Sequence, residues 1–373
     1  MSDAYEARLA RGPLGAELEH SDEFLVETSR ARQENGRGCE PPRVCLSASW
    51  PVQGRPLGSE EHASVMKLLL ANPRCYCAGV DRAIQIVELA LERFGAPVYV
   101  RREIVHNRHV VGWLRERGAV FVDELGEVPQ GGLVVFSAHG VGPAVHAEAE
   151  RRSLRVIDAT CPLVSKVHVE VERFVDLGYH ILFIGHAGHE EVEGTMGHAP
   201  DHTTLIENVE QARTTPIPDR GKLMVLTQTT LSMDDTQEAI DALRERFAHL
   251  ELPPGDDICY ATQNRQNAVK AMCEDGIELL LVVGSENSSN AARLAEIGAV
   301  RGIASHLINS HADVRATWLD GVTRVGVTGG ASTPSSVVQD VVARLEELGI
   351  TDVEPCVTAQ ESTVFQLPAM LQS

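Results

Sequence analysis

The chain has 373 residues, and this length predicts two or three domains. Hydrophobic residues make up 43% of it but aromatic residues only 4%, so its cores must be largely aliphatic, as in parallel α/β sheets. The formal net charge of −20 argues against an extended nucleic-acid surface and against a surface that binds anionic lipid. Since the sequence contains neither an apolar run long enough to span a bilayer nor an apolar signal core, we expect a cytoplasmic protein with no membrane or nucleic-acid partner.

Residues 1–65 differ in character from the rest of the chain. They combine charge runs with scattered Gly and Pro and show little hydrophobic periodicity. Such composition predicts a poorly ordered extension. Met66 directly precedes the first clean strand pattern and could be an alternative start.

From residue 66 onward, short apolar runs alternate with helical patterns. The first strand pattern begins at Lys67, and an apolar series from Ile84 to Phe94 then recurs at helical spacing. Gly95 suits the end of that helix, and a second strand covers 98–100. This alternation predicts parallel sheets with right-handed crossovers.

Nine predicted strands each end in a loop that carries one chemically capable side chain, and the order Cys, polar, polar occurs three times. The strand before the third cysteine has the weakest pattern. The interval from each cysteine to the first polar residue is 29, 28 and 29 residues (106 − 77, 189 − 161 and 288 − 259). In chain order, the nine residues are Cys77, His106, His139, Cys161, His189, Thr229, Cys259, Ser288 and Ser332.

This repeat predicts three similar α/β units. In open parallel sheets, ligands bind outside the carboxyl ends of the strands, so three such edges that face one centre would bring all nine loops together. The predicted boundaries are 79–161 for unit 1, 162–256 for unit 2, 257–345 with the strand 66–78 for unit 3, and 346–373 for a C-terminal tail.

The cysteines Cys77, Cys161 and Cys259 are far apart in sequence. Three thiolates that converge on one point suit an iron–sulfur cluster, and three ligands leave one iron of a [4Fe–4S] cluster open for substrate. Three buried free cysteines are the simpler alternative, whereas structural zinc normally shows closely spaced pairs and four ligands. Cys75 could replace Cys77 as a ligand, but Cys77 directly precedes a helix and is preferred. Packing or surface roles are expected for Cys39, Cys45, Cys273 and Cys356.

The polar loops indicate an anion site. Imidazole, hydroxyl and amide groups precede predicted helices at His139, at His189, in the run Asn287-Ser-Ser-Asn290 and at Ser332. Such groups beside helix N-termini bind phosphate or diphosphate, although Ser and Asn there are often simple N-caps. Glu191, next to the histidine-rich loop, is a candidate proton donor.

At this point a resemblance can be stated. The residues that carry it lie between Lys67 and about residue 345, in the order of the 4-hydroxy-3-methylbut-2-enyl diphosphate reductase (IspH/LytB) family. The matching runs are Cys77-Ala-Gly-Val-Asp-Arg-Ala, Glu103-Ile-Val-His106-Asn-Arg, Phe136-Ser-Ala-His139-Gly-Val, Asp158-Ala-Thr-Cys161-Pro, Gly188-His189-Glu-Glu191-Val-Glu-Gly-Thr-Met-Gly, Thr227-Gln-Thr-Thr230, Asp257-Ile-Cys259-Tyr-Ala-Thr, Asn287-Ser-Ser-Asn290 and Gly329-Gly-Ala-Ser332-Thr-Pro.

The resemblance implies a trefoil of three α/β units around one central [4Fe–4S] cluster. Cys77, Cys161 and Cys259 would hold the cluster and leave its fourth iron open. Glu191 would supply a proton, with Thr229 and His189 as the other catalytic residues. The substrate-binding residues would be His106, His139, His189, Thr229, Thr230, Ser288, Ser289, Asn290 and Ser332.

The resemblance also implies the reaction. A small allylic diphosphate would bind, lose its hydroxyl group as water after taking up two electrons and two protons, and leave as isopentenyl or dimethylallyl diphosphate. No flavin or nicotinamide loop is visible in the sequence, so we expect a separate electron donor such as ferredoxin or flavodoxin. Two features depart from the family pattern: Cys75-Tyr76 replaces the usual Gly-Phe, and residues 1–65 have no counterpart.

Three other interpretations fit parts of the pattern. A non-catalytic iron–sulfur redox sensor would need the cysteines but not the diphosphate site. A zinc-dependent phosphate-ester hydrolase would need no electron donor. A three-unit sugar- or nucleotide-binding module with buried cysteines would tolerate loss of all three thiols.

Overall fold

The computed structural model describes residues 66–218 and 221–372. These residues contain three parallel β-sheets. The extension 1–65, with its predicted disorder and its two cysteines, lies outside the described residues. Within the described ranges no helix is long and apolar enough to cross a membrane. The fold class predicted from the sequence, three parallel-sheet α/β units, is confirmed.

Unit 1 contains a four-stranded sheet with the strand order β3-β2-β4-β5. Its strands are β2 (Val98–Arg101), β3 (Ala119–Val122), β4 (Leu133–Phe136) and β5 (Arg155–Asp158). Its helices are α1 (Ala78–Phe94), α2 (Arg108–Glu116) and α3 (Pro143–Arg151). Helix α1 ends as its apolar spacing predicts, because Gly95 follows in the left-handed region with φ 74°.

Unit 2 repeats this arrangement with the order β7-β6-β8-β9. Its strands are β6 (His180–Ile184), β7 (Thr203–Ile206), β8 (Leu223–Thr227) and β9 (Leu250–Glu251). Its helices are α4 (Pro162–Asp176), α5 (Glu190–Met196), α6 (Val209–Thr214) and α7 (Met233–Arg246).

Unit 3 has five strands in the order β11-β10-β12-β1-β13. Its strands are β1 (Lys67–Asn72), β10 (Leu279–Val283), β11 (Ala304–Ile308), β12 (Arg324–Gly329) and β13 (Asp352–Val357). Its helices are α8 (Tyr260–Glu274), α9 (Ser289–Val300) and α10 (Ser335–Glu347). The segment 346–373, which the sequence predicts as a tail, thus contributes an edge strand that pairs with β1 over six residues.

The central strands β4, β6, β8 and β10 are buried along their whole length and are largely apolar runs, whereas edge strands such as β5 and β13 are partly exposed. In β10, for example, all five residues are buried, and alternate side chains enter two different cores. Helices cover these faces, which is the arrangement that parallel sheets require. The low aromatic content is consistent with cores made largely of Val, Leu, Ile and Ala.

The three helices that follow the cysteines carry the chain from one unit to the next. Helix α1 follows β1 of unit 3 but packs on the core of unit 1. Helix α4 follows β5 of unit 1 and packs on unit 2, and α8 follows β9 of unit 2 and packs on unit 3. The three cysteines therefore lie at the three crossings between units.

One predicted element is wrong. The sequence pattern predicts a weak strand that ends at Cys259, but β9 ends at Glu251 and an irregular segment leads from there to the cysteine. The segment contains Pro253 and Pro254, which have no N–H to donate to a ladder, followed by Gly255. Cys259 is nevertheless fixed near the ends of the neighbouring strands, because its backbone N–H donates to the Thr229 carbonyl.

Candidate active site

Each cysteine is fastened to the loop that follows the neighbouring strand of its sheet. In all three cases the backbone N–H of the cysteine donates to a carbonyl in that loop. These hydrogen bonds join Cys77 to Ala331 (3.2 Å), Cys161 to Ala138 (2.9 Å) and Cys259 to Thr229 (3.1 Å). Each cysteine is also the residue that caps the N-terminus of the following helix. The positive end of a helix dipole favours a thiolate at such a position.

The three thiols line one cavity between the units. Gly79 stands between two of them: a Cβ at this position would lie 2.6 Å from the Cys161 Sγ and 3.9 Å from the Cys77 Sγ. Among the described residues, the three sulfur atoms do not form a group within 4.8 Å of one another. Thiolates on a single zinc ion, at about 2.3 Å from it, would lie closer than this. At least one sulfur–sulfur distance is therefore longer than the separation expected around a single zinc ion.

Without a bound cation, burial disfavours the thiolate form of these thiols, against the effect of the helix dipoles. Burial raises the pKa of Cys161 to about 12 and that of Cys259 to about 11, and the nearby Cys77 adds to both shifts. Three thiolates so close together in a dry cavity would repel one another. A bound cation offsets this repulsion, which is why coordination converts such thiols into thiolates.

Glu191 is buried in the same cavity, with 2% of its surface exposed. One carboxyl oxygen accepts the backbone N–H of Thr229 at 2.6 Å, and the other accepts the Thr229 hydroxyl at 3.0 Å. Burial raises the pKa of Glu191 to about 7, although the two hydrogen bonds from Thr229 oppose the shift. A carboxyl group with this pKa can hold and release a proton near neutral pH.

Three imidazoles also line the cavity. The rings of His106 and His139 stack with their centroids 4.0 Å apart, and the ring of His189 meets them edge-on at 5.4 Å and 5.8 Å. Burial and the two neighbouring rings lower the pKa of His189 to about 3. Its Nδ1 accepts the backbone N–H of Glu191, so the neutral ring carries its proton on Nε2.

Two carboxylates contact the Nδ1 atoms of the stacked imidazoles. Glu103 lies 3.2 Å from Nδ1 of His106 and also accepts the side-chain amide of Asn287 at 2.8 Å. Glu190 lies 3.2 Å from Nδ1 of His139. Burial acts to raise the pKa of Glu190, but the hydrogen bond with His139 and the charges of His139, His106 and Arg102 together outweigh burial, and the pKa is lowered. In the neutral form of each ring, the neighbouring carboxylate favours the tautomer that carries its proton on Nδ1. When a ring is protonated, both of its nitrogen atoms carry a proton.

Hydroxyl and amide groups of the remaining loops complete the cavity. Ser288 caps helix α9 by accepting the N–H of Ala291, as the simple N-cap alternative predicted. Ser289 and Thr230 share a hydrogen bond of 3.2 Å between their hydroxyl groups. The amide of Asn290 accepts the N–H of Ala331 at 2.9 Å, and the Ser332 hydroxyl donates to the carbonyl of His106 at 2.9 Å.

Every side chain that the sequence pattern and the resemblance predicted for the site lines this one cavity. The prediction did not include the supporting carboxylates Glu103 and Glu190. It also missed Thr262, whose N–H and hydroxyl group both contact the Cys259 sulfur at 3.4 Å and 3.2 Å. The thirteen predicted residues are Cys77, His106, His139, Cys161, His189, Glu191, Thr229, Thr230, Cys259, Ser288, Ser289, Asn290 and Ser332.

Comparison with known proteins decides the family. A sequence model described as LytB protein matches residues 68–346. The chain belongs to the LytB family. It is 57% identical over 308 residues to the 4-hydroxy-3-methylbut-2-enyl diphosphate reductase of Mycolicibacterium paratuberculosis, covering 82% of this chain and 92% of that one. The corresponding enzyme of Rhodococcus jostii is 56% identical, with 82% and 91% covered.

Two solved structures share the LytB fold of this chain. The E-1-hydroxy-2-methyl-but-2-enyl-4-diphosphate reductase of Plasmodium falciparum has a TM-score of 0.80 and 39% sequence identity, covering 82% of this chain and 96% of that one. A structure titled as the terminal enzyme of the non-mevalonate pathway has a TM-score of 0.55 and 28% identity, covering 76% and 99%.

The pKa of Glu191 yields a first prediction. Because the Thr229 hydroxyl stabilises the ionised carboxylate, Thr229→Val should raise the Glu191 pKa further above about 7. Thr229→Ser keeps the hydroxyl and is the control. Infrared difference spectra of the carboxyl stretch during a pH titration measure the shift, and Glu191→Gln identifies the band. An unchanged pKa in the valine variant would contradict the assigned hydrogen bond.

Proposed function

We propose that this protein is the reductase that removes the hydroxyl group of (E)-4-hydroxy-3-methylbut-2-enyl diphosphate and yields isopentenyl and dimethylallyl diphosphate. The observation that supports the proposal most strongly is the single cavity that combines three thiols, a buried carboxyl group and a wall of imidazole, hydroxyl and amide groups. The balanced reaction takes two electrons and two protons and releases one water molecule for each hydroxyl group removed.

We propose that Cys77, Cys161 and Cys259 hold a [4Fe–4S] cluster whose fourth iron is open. Their soft sulfur donors and their positions at three helix N-termini support this group, as does a sulfur–sulfur separation longer than a single zinc ion requires. When bound, the cluster supplies a Lewis-acidic iron for the hydroxyl oxygen and a route for the electrons. As the source of these electrons we propose a separate protein such as ferredoxin or flavodoxin.

The diphosphate would bind to the imidazole and hydroxyl wall. Neutral His189 offers its Nε2–H, and Ser288, Ser289, Asn290 and Ser332 offer hydroxyl or amide groups around it. A diphosphate carries several negative charges, so it would oppose the lowering of the His139 pKa that burial causes. The Nδ1 atoms of both stacked rings, His106 and His139, already face carboxylates. Binding energy gained here, away from the reacting carbon, positions the allylic end of the substrate.

Glu191 would deliver the proton that converts the leaving hydroxyl group into water. Its carboxyl group is buried, has a pKa of about 7 and accepts a hydrogen bond from Thr229 at each oxygen. The Thr229 hydroxyl lies beside it and can pass a proton between the carboxyl group and the substrate oxygen. Because Glu191 and Thr229 are both buried, with 2% and 4% of their surface exposed, competing water has little access to them.

Turnover tests the proposed function directly. Protein purified without oxygen, reconstituted with iron and sulfide and chemically reduced should convert the allylic diphosphate into the two products. The matching allylic monophosphate should react far more slowly because it loses half of the anion contacts. Phosphate release without any reductant would instead support a zinc-dependent hydrolase, and binding without turnover would support a redox sensor or a binding module.

Glu191→Gln should keep the cluster but lose turnover by about 10²- to 10⁴-fold, because the amide has no proton of suitable acidity to give. Wild-type turnover should also fall as pH rises through the Glu191 pKa of about 7, since only the protonated acid can donate. Steady-state rates and iron content are measured on the same samples. Near-normal activity in the variant would remove Glu191 from the mechanism.

Cys77→Ser should lose iron, whereas Cys75→Ser should keep it. Cys75 is buried in the core of unit 3 and does not line the cavity. Its backbone adopts φ 62°, a conformation that favours glycine, and its sulfur packs where Gly329 leaves room for it. Iron per protein after identical anaerobic reconstitution distinguishes the two variants. The reverse result would show that Cys75 is the ligand.

A further inference from the structure

The C-terminal segment 358–372 runs from the edge of unit 3 to the core of unit 1. It starts where the Thr358 N–H donates to the Asn72 carbonyl at 2.9 Å, directly after β13. It ends with Leu371, which is buried in the core of unit 1 together with Leu367. Between these anchors its residues contact groups beside all three cysteines. We call residues 358–372 the C-terminal clasp.

The first contact is a buried ion pair beside Cys77. Arg265 of helix α8 is completely buried, and its guanidinium donates to both oxygens of Glu361 in the clasp, at 3.0 Å and 3.3 Å. The same guanidinium donates to the carbonyl of Cys75 at 2.8 Å and 3.2 Å and to that of Tyr76 at 3.4 Å. One buried cation thus ties the clasp to the two residues that precede Cys77.

The second contact lies beside Cys161. Arg82 of helix α1 donates through Nε to the Gln366 carbonyl of the clasp at 2.8 Å. Through Nη1 it donates to the carbonyls of Ala159 and Thr160, at 3.2 Å and 3.0 Å. These are the two residues directly before Cys161, so a second arginine repeats the arrangement of the first.

The third contact lies beside Cys259. The next residue, Tyr260, shares a side-chain hydrogen bond with Thr363 of the clasp. On the same helix, the Asn264 amide donates to Glu361 at 3.1 Å. Every cysteine loop is therefore bonded to the same segment, although the three loops come from different units.

We propose that the C-terminal clasp holds the three cysteine loops in the geometry that retains the cluster, with Arg265 and Glu361 as positioning residues. This inference rests on the proposed function, since it takes the three cysteines to be cluster ligands. Loops contributed by separate units can move apart when the units move. The C-terminal clasp, which contacts all three cysteine loops, couples their positions. Groups that orient metal ligands in this way typically change metal affinity by about 10- to 100-fold when they are removed.

The test measures how fast the reconstituted full-length protein loses iron to an excess of a strong ferrous chelator, followed by the visible absorption of the cluster under anaerobic conditions. Glu361→Gln keeps the shape of the side chain but removes its charge, and Arg265→Gln removes the guanidinium. We expect both to release iron about 10- to 100-fold faster than the wild type. Arg265→Lys keeps the positive charge but lacks the planar guanidinium that reaches several acceptors. Its iron-release rate should lie between those of the wild type and Arg265→Gln.

Glu354→Gln is the matched control. Glu354 lies on β13, just before the clasp, and pairs with Lys67 on the surface at 2.8 Å. Its release rate should stay within about twofold of the wild type, because exposed pairs contribute little. In the double variant Arg265→Gln/Glu361→Gln, the increase in release rate should be smaller than the product of the two single increases, because the two residues share one ion pair.

Melting of the apoproteins separates positioning from general stability. If Glu361→Gln lowers the apoprotein melting temperature but releases iron at the Glu354→Gln rate, the clasp is only structural and the proposal is overturned. Should Arg265→Gln not fold, Glu361→Gln decides alone. If the wild type takes up no cluster at all, the proposed function is contradicted. If the wild type and the variants all bind the cluster and release iron at equal rates, only the proposed role of the C-terminal clasp is contradicted.

Discussion

Three backbone hydrogen bonds, one from each cysteine N–H to the loop after the neighbouring strand, fix the centre of this protein. Each bond lies where the chain crosses from one unit to the next. The crossings place the three thiols in one cavity, and Gly79 stands between two of them, where a side chain would collide with the Cys161 sulfur. The units can therefore differ in detail as long as each sheet directs the carboxyl ends of its strands at the same cavity.

The dry centre determines the chemistry. Burial lowers the pKa of His189 to about 3, so this ring is neutral near neutral pH. Burial also raises the pKa of Glu191 to about 7, so a substantial share of this carboxyl group keeps its proton there. The supporting carboxylates Glu103 and Glu190 place negative charge behind the two other imidazoles. A cluster on one side and a diphosphate on the other would then bring charge into a cavity that is otherwise nearly neutral, and this makes each of them dependent on the fixed dipoles around it.

Sequence periodicity predicted the three units and the strands that position them, because aliphatic strands and amphipathic helices obey local rules. It failed before Cys259, where tertiary hydrogen bonding replaces strand pairing. It also missed Glu190, since a glutamate at a helix start is solvated in most proteins and only the fold places His139 against it. The Arg265–Glu361 pair joins residues 96 positions apart, and no local signal announces such a contact.

The most direct test of the central claim is the Mössbauer spectrum of the protein purified without oxygen, recorded before and after addition of (E)-4-hydroxy-3-methylbut-2-enyl diphosphate. Our account predicts a four-iron spectrum in which one iron differs from the other three and changes when the diphosphate binds. A protein that stays free of iron after anaerobic reconstitution would contradict it. So would a spectrum with four equivalent irons that the diphosphate leaves unchanged.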